Sequence, residues 1–506
     1  MLDIKRNDLV AAVAGSGTMG RGIVQVLAQC GVRTLVYDAN AGAARAARDS
    51  IAQALARLAE KGRIPQAEVA ATLARIEIVE ALQAFAPAHI AIEAIVEQLE
   101  AKRELFRTLE GIVGESCILA SNTSSLSVTA MAAACRKPGR VAGYHFFNPV
   151  PVMKIVEVVA GELTEPWVTD ALAALAKRYG HTPVRCKDTP GFVVNHAGRG
   201  YIPEALRVLA EGIADFATID RILTDAAGFR LGPFGLMDLV GLDVNHSVHK
   251  SLFEQYFQEP KYRPSYLLEP RVAAGLLGRK TGRGWYAYGK DGAAGKIPEQ
   301  PVPSAKPTQV WVASNAPGLK DLLSQLGAKL ETGAKPSGEA ICFVAPLGQD
   351  ATTTALQLLI DPARTVAVDP LFGFAKRRTL MTTPVTRPEI RDAAHGLLAS
   401  DGIPVSVIRD SPGFVAQRVV AHIVNVGCDI VQQRIATPAD LDTAVMLGLG
   451  YPRGPLAMGD AIGAARLLTV LEAMHSFYQD PRYRPSPWLK RRARLGVSLL
   501  TEDSRS

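Results

Sequence analysis

The first 185 or so residues alternate strand-length apolar runs with segments whose apolar positions recur every three to four residues. DLVAAVAG and VRTLVYD read as strands. The stretch TMGRGIVQVLAQCG between them reads as a helix that sets Ile23, Val26 and Leu27 on one face. Further strands are predicted at HIAIEAI, CILASN and RVAGYHFF, the first two separated by the helix-like QLEAKRELFRTLEGIV. Such alternation builds a Rossmann-type doubly wound α/β domain. From about Pro190 the period changes, and IPEALRVLAEGIADFATIDRILTDAAG is helical throughout. An all-α domain should therefore run to about Tyr288. Residues 289–308, rich in Gly, Pro, Ala and Lys, read as a linker. TQVWVASN, EAICFVAP and RTVAVDP then predict a smaller α/β unit, followed from about Asp410 by a second all-α domain. The expected boundaries are 1–188, 189–288, the linker 289–308, 309–409 and 410–506.

The second half repeats the first in register. Asp188, Pro190, Gly191 and Phe192 recur with their spacing intact as Asp410, Pro412, Gly413 and Phe414. At the same offset Asp220, Gly232, Pro233 and Asp238 recur as Asp442, Gly454, Pro455 and Asp460. Chance does not align so many positions, so the pattern predicts an internal duplication. In this register Asn195 becomes Gln417.

Composition changes this picture little. With 506 residues the chain exceeds a single core, which agrees with several domains. No apolar run approaches the roughly 18 residues of a membrane span, and the amino-terminal stretch lacks the pattern of a signal peptide. The six cysteines include no CxxC pair, so no metal site and no disulfide framework is expected, and a cytoplasmic setting is the simplest reading. The charge of +7 is thinly spread, with short basic clusters at 375–378 and 490–494; such a balance could favour an anionic substrate, and solvated surface is the simpler reading. Neither nucleic-acid nor membrane partners are expected.

Candidate chemistry begins at AVAGSGTMG, where Gly15, Gly17 and Gly20 have GxGxxG spacing between a predicted strand and a predicted helix. The glycines permit a tight turn and let a pyrophosphate approach the helix N-terminus. Asp38 ends the second strand, where a carboxylate accepts hydrogen bonds from ribose hydroxyls. Ala39 and Asn40 follow it, with no arginine for a 2′-phosphate, so NAD is favoured over NADP. In GYHFFNPVPVMKIVEVV, His145 stands at the C-terminal end of a strand, the edge where such sheets place ligands. Glu157 alternates with Ile155 and Val159 on an apolar run, costly unless paired. A turn at NPVP would bring the two together, making His145 a usable general base.

GSGTMG, IEAIVE, SNTSS, HFFNPVPVMKIVEVV, DTPGFVVN and GRKTGRGWY, in that order over about residues 10 to 288, resemble the 3-hydroxyacyl-CoA dehydrogenase family. The longer architecture is similar to bacterial enzymes of aromatic catabolism that oxidise 3-hydroxyadipyl-CoA or 3-hydroxybutyryl-CoA. The resemblance implies NAD-dependent oxidation of (S)-3-hydroxyacyl-CoA, with His145 taking the hydroxyl proton and Glu157 orienting it. It implies that Ser124 and Asn195 hydrogen-bond the substrate and that Asn148 holds the histidine and nicotinamide region in register. For the cofactor it implies the loop residues Gly15, Gly17, Thr18, Met19 and Gly20, together with Asp38, Glu97, Lys102, Asn122 and Lys280. For CoA it implies Ser50, Arg57 and Lys61. His196 departs from the family, many relatives having arginine beside the asparagine. A dehydrogenase of free hydroxy acids and a catalytically silent NAD-binding protein are the competing readings.

The second half keeps neither GxGxxG nor the His–Glu pair, so its α/β unit is expected to be degenerate and without a cofactor site. Dimeric relatives pair their helical domains, and a fused copy makes that contact intramolecular. The expected state is a monomeric pseudo-dimer or a homodimer.

Overall fold

The computed structural model describes residues 2–504 except 308 and 315. Thr308, which closes the expected linker, and Asn315, in the strand expected after it, lie outside the described residues, as do Met1, Arg505 and Ser506. Two compact units emerge, Met1–His196 with Gln433–Gly450, and Ala197–Gln432 with Tyr451–Ser506.

In the first unit eight strands are seen among the described residues: β1 (Val10–Ala14), β2 (Arg33–Tyr37), β3 (Ile76–Ile78), β4 (Ile90–Glu93), β5 (Ile118–Ser121), β6 (Val141–Phe146), β7 (Ile155–Ala160) and β8 (Thr182–Lys187). Their order is β3-β2-β1-β4-β5-β6-β7-β8. All neighbours run parallel except β6 and β7. The order reverses between β1 and β4, which opens a crevice at their C-terminal ends, and this is the Rossmann-type sheet read from the sequence. Every residue of β1 is buried, as a strand covered on both faces requires. The helix Thr18–Gln29 buries Ile23, Val24, Val26 and Leu27 against the sheet. Burying each such aliphatic side chain contributes about 1.5–3 kcal/mol. The short strand β3 and the edge strand β8 were not expected: Ile76–Ile78 has three residues, and β8 alternates charged with apolar positions too briefly to stand out.

The boundary drawn at 409/410 assigned everything after it to one helical domain. Instead the helix Pro438–Leu449 belongs with the first unit, where Lys187 donates its backbone N–H to Ile435 O at 3.0 Å and Gly448 lies against Val194.

The second unit holds a five-stranded sheet, β9 (Val310–Val312), β10 (Ile341–Val344), β11 (Thr365–Val368), β12 (Arg378–Thr382) and β13 (Val405–Ile408), in the order β13-β12-β11-β10-β9 with β11 and β12 antiparallel. Around it lie helices from both sides of the linker region, the longest being Ala416–Gln432, buried along most of its length. That helix carries Arg418, whose guanidinium is fully buried and reaches Glu204 at 2.6 Å and Glu211 at 2.7 Å. Glu204 is also held by Tyr483 at 2.6 Å and Arg482 at 3.2 Å.

Of the basic residues in the cluster at 375–378 only Lys376 is solvated surface. Arg377 is buried between Asp225 and Glu299, and Arg378 is bound through two nitrogens to Asp401. Spacing alone could not reveal partners 23 to 152 residues away. No described helix is long and apolar enough to cross a membrane.

Candidate active site

The glycine loop turns immediately after β1. Gly15 has φ +96°, and a side chain there would place Cβ 2.5 Å from Ala94 O. At Gly20 the added carbon would lie 1.9 Å from Gly15 O, so backbone contact demands glycine at both. Gly17 faces open space at the head of the helix Thr18–Gln29, which leaves its N-terminus approachable. Thr18 is exposed and Met19 packs partly into the core. Just beyond β2, Asp38 accepts hydrogen bonds from Ser16 N and Oγ, both 2.7 Å, and from Asn40 N at 2.9 Å. Burial pushes the Asp38 carboxyl up, but these hydrogen bonds outweigh it and hold the group below its ordinary range. A cavity of about 570 Å³, lined by Gly15, Gly17, Asp38, Asn40, Ala94 and Val96, spans the crevice. Open backbone at Gly17 beside an ionised acceptor fits a dinucleotide.

Across the crevice the carboxylates turn inward. Lys102 is 1% exposed and binds both oxygens of the fully buried Glu93, at 2.7 and 2.8 Å, with Glu97 at 3.2 Å. Glu97 also accepts from Thr123 Oγ1 at 2.6 Å, Ser124 N at 3.0 Å and Ser125 Oγ at 2.9 Å. Burial pushes Glu97 up, and Lys102 and these donors more than reverse it. Lys102 therefore lies within the protein, organising Glu97 and through it the SNTSS loop. Glu93 was missed by sequence reasoning; the signal available was a carboxylate inside the apolar run HIAIEAI. Asn122 accepts from Phe146 N at 2.9 Å and so ties the end of β5 to the end of β6.

His145 and Glu157 face each other directly in the β6–β7 ladder. Nδ1 of His145 lies 2.6 Å from Glu157 Oε2, and both side chains are buried. The other carboxylate oxygen, Oε1, accepts from the backbone of Val193 at 3.0 Å and Val194 at 2.8 Å. Glu157 thus fixes the imidazole and the PGFVVN turn at once, the turn itself needing left-handed backbone at Gly191 and Phe192. Asp188, at the head of that turn, accepts from Ser127 Oγ, Val128 N and Thr129 N at 2.7–3.0 Å, coupling it to the start of the helix Val128–Ala132 that follows the SNTSS loop. Ser124 is exposed and Asn195 half-buried, on the two segments so joined. With Nδ1 engaged, Nε2 of His145 is the nitrogen left for exchange of a proton.

Asn148 lines a second cavity, about 350 Å³, with Thr18, Arg21, Gln25, Ser50 and Arg57. Arg21 was not singled out from the sequence; as a second guanidinium beside Arg57 it makes this cavity suited to phosphate. Lys61 is exposed, just past the end of its helix, and does not line the cavity. Lys280 belongs to the second unit, where its ammonium lies 2.6 Å from both oxygens of Asp243.

In the second unit Asp369 N donates to Thr379 O beyond the β11–β12 ladder. The buried Gln417 donates to Asp369 at 2.9 Å and Pro346 O at 3.1 Å, and accepts from Gly348 N at 2.8 Å. Burial pushes the Asp369 carboxyl up to about 6 against these hydrogen bonds.

Residues 10–189 match the NAD binding domain of 3-hydroxyacyl-CoA dehydrogenase, and residues 191–288 and again 413–499 match the C-terminal domain of that family. A curated relative, the 3-hydroxyadipyl-CoA dehydrogenase of Escherichia coli K12, is 38% identical over 97% of this chain and 98% of its own length. A crystal structure of 3-hydroxybutyryl-CoA dehydrogenase from Escherichia coli K12 is similar with a TM-score of 0.86 at 37% identity, covering 97% of this chain and 99% of that one. An (S)-3-hydroxybutyryl-CoA dehydrogenase from Ralstonia eutropha matches 56% of this chain and 99% of its own, at 40% identity and a TM-score of 0.54. The resemblance read from the motifs is borne out: the chain belongs to the 3-hydroxyacyl-CoA dehydrogenase family.

Proposed function

We propose that this oxidoreductase converts (S)-3-hydroxyacyl-CoA to 3-oxoacyl-CoA, acting on 3-hydroxyadipyl-CoA or a short-chain relative such as 3-hydroxybutyryl-CoA. The observation that carries the reading is the His145–Glu157 pair, 2.6 Å apart and buried at the ligand edge of the sheet. Nε2 of His145 takes the proton of the 3-hydroxyl as the C3 hydrogen leaves with its electron pair. NAD, when bound, supplies the hydride acceptor. Glu157 keeps Nδ1 protonated and neutralises the imidazolium formed, which then returns its proton to solvent. Ser124 and Asn195 hydrogen-bond the reacting oxygen, and Asn148 keeps the ring and the substrate aligned. The loop residues Gly15, Gly17, Thr18, Met19 and Gly20 receive the pyrophosphate and Asp38 the ribose hydroxyls, while Glu97, Lys102 and Asn122 shape the nicotinamide end. Ser50 and Arg57 meet the CoA phosphates, with Arg21 beside them; the exposed positions of Lys61 and the Asp243-bound Lys280 give those two less support.

The test is NADH formation in initial-rate assays on 3-hydroxybutyryl-CoA, against free 3-hydroxybutyrate and against NADP. Turnover of the thioester alone, with NAD preferred, is expected; turnover of the free acid would favour the competing dehydrogenase reading. Asp38→Ala should raise KM for NAD by about 10- to 150-fold and narrow the preference over NADP, since about 1.5–3 kcal/mol of charge-assisted hydrogen bonding is lost.

The second half is read as a duplicate whose chemistry lapsed. In the register of the repeat, Thr379 and Gln417 stand for Glu157 and Asn195, and Asp369 meets Thr379 as His145 meets Glu157. The buried Asp369–Gln417 hydrogen bond leaves the matching pair engaged within the protein, which supports a degenerate α/β unit kept for packing. The twofold match to the C-terminal family domain and the Arg418–Glu204 contact support pairing of the two helical portions within one chain. Truncation after residue 295 should leave a fragment that aggregates or dimerises in sedimentation velocity. A monomeric, fully active fragment would overturn this pairing.

A further inference from the structure

Glu93 is the last residue of β4 and is fully buried. In the parallel ladders it stands level with Ala14 of β1, just before the glycine loop, and with Ser121 of β5, where the SNTSS loop begins. A carboxylate inside a parallel sheet is costly unless its oxygens are satisfied. Both oxygens accept from Lys102 Nζ, one also accepts from Ile95 N at 3.1 Å, and the other from the Ser121 hydroxyl. Every one of these partners is a donor, which suits the anion. The backbone carbonyl of Glu93 in turn accepts from Asn122 N at 3.0 Å.

An ammonium has three N–H groups. Lys102 Nζ has three carboxylate oxygens within 3.2 Å, two of Glu93 and one of Glu97. No donor is left over for a ligand, so Lys102 serves by holding Glu97. Oε1 of Glu97 accepts from Thr123 Oγ1, Ser124 N, Ser125 N and Ser125 Oγ at 2.6–3.2 Å. Thr123 N donates to Ser121 Oγ at 3.1 Å, and Asn122 Oδ1 accepts from Phe146 N, the residue after His145. One chain of contacts that starts at the Glu93 carboxylate therefore fastens the loop from Ser121 to Ser125 and the end of β6 together.

We propose that Glu93 is a positioning residue: by fixing Lys102 and Ser121 it sets Glu97 and Asn122, and through them the places of Ser124 and His145. The role rests on the dehydrogenase reading and deepens it, since Ser124 and His145 are the groups that this reading puts at the reacting hydroxyl. Glu93 itself, with no exposed surface, touches neither substrate nor cofactor.

The test uses the full-length protein. Glu93→Gln keeps the size of the side chain and removes its charge, so Lys102 draws Glu97 inward and the loop loosens. Hydrogen–deuterium exchange of the protein without ligands, read by mass spectrometry on peptides covering residues 122–126, should become about tenfold faster, while the β7–β8 ladder stays within about twofold. On 3-hydroxybutyryl-CoA, kcat should fall about 10- to 100-fold, the cost of a displaced reacting group, with KM for the thioester within about threefold. A second variant combines Glu93→Gln with Lys102→Met and so removes the stranded ammonium. Its melting temperature should return to within about 3 °C of the unaltered protein. Its kcat should stay low, because Glu97 is still not held. Recovery of kcat together with stability would make Glu93 merely structural and overturn the proposal. Unaltered exchange at residues 122–126 in both variants overturns it as well. No NADH from the unaltered protein on any thioester removes the dehydrogenase reading, while the exchange measurement still decides whether Glu93 sets the loop.

Discussion

His145→Ala lowers kcat/KM for NADH formation from 3-hydroxyacyl-CoA by about 10²–10⁴-fold, the range of a lost general base. Binding of NAD, followed by fluorescence titration of NADH, stays within about twofold, because the glycine loop and Asp38 make no hydrogen bond to His145. Glu157→Gln is the more discriminating change. Its amide oxygen can still accept from Val193 and Val194, so the turn that presents Asn195 is retained. The amide N–H₂ then faces Nδ1 of His145 and demands the opposite tautomer, which puts the proton on Nε2 and removes the base. The fall is again about 10²–10⁴-fold, from a protein that folds and binds cofactor. A His145→Ala enzyme with an unaltered rate would strip His145 of its role and revive the catalytically silent reading.

Arg418→Met destabilises the second unit by about 3–5 kcal/mol, because it strands Glu204 as a buried, underpaired carboxylate. In a thermal melt this appears as a drop on the order of 5–15 °C in the transition of that unit. Adding Glu204→Leu recovers part of the loss, and a double-mutant cycle should return a coupling above about 1 kcal/mol; additivity within about 0.5 kcal/mol would show the pair to be idle. The pH dependence has a definite sign. Burial pushes Glu204 up, but Arg418, Arg482 and His422 reverse that and carry its carboxyl far below the usual range. A carboxyl lowered in the folded state stabilises above its unfolded value, about 4.5, and the contribution fades as pH falls below that. Acid should therefore act on the wild type below about pH 4.5, and act less on Glu204→Leu.

That pair also sets the two halves of the chain apart. Position 196 carries histidine, while Arg418 stands at the position that matches it in the register of the sequence repeat. Glu204 has Val426 as its counterpart in the same register. The contact is thus one-sided, with carboxylate from one portion and guanidinium from the other. Either portion taken alone would leave its buried charge without the partner that the other supplies.

The chain itself, read residue by residue, determined the sheet type, the glycine loop with Asp38, and the possibility that His145 meets Glu157. Local physics suffices for these: period-two and period-3.6 apolar spacing, a turn only glycine tolerates, and a carboxylate too costly to bury alone. The tertiary structure decided what depends on partners distant along the chain. Lys102, expected among the residues that meet the cofactor, is clamped within the protein by Glu93, and Arg377 and Arg378, which read as solvated, are buried in ion pairs. The second oxygen of Glu157 goes to a turn 36 residues away, and the helix Pro438–Leu449 joins the first unit although the repeat pattern had put it elsewhere. Sequence spacing records which groups are close along the chain, whereas the cost of an unpaired buried charge is settled only when folding brings its partner.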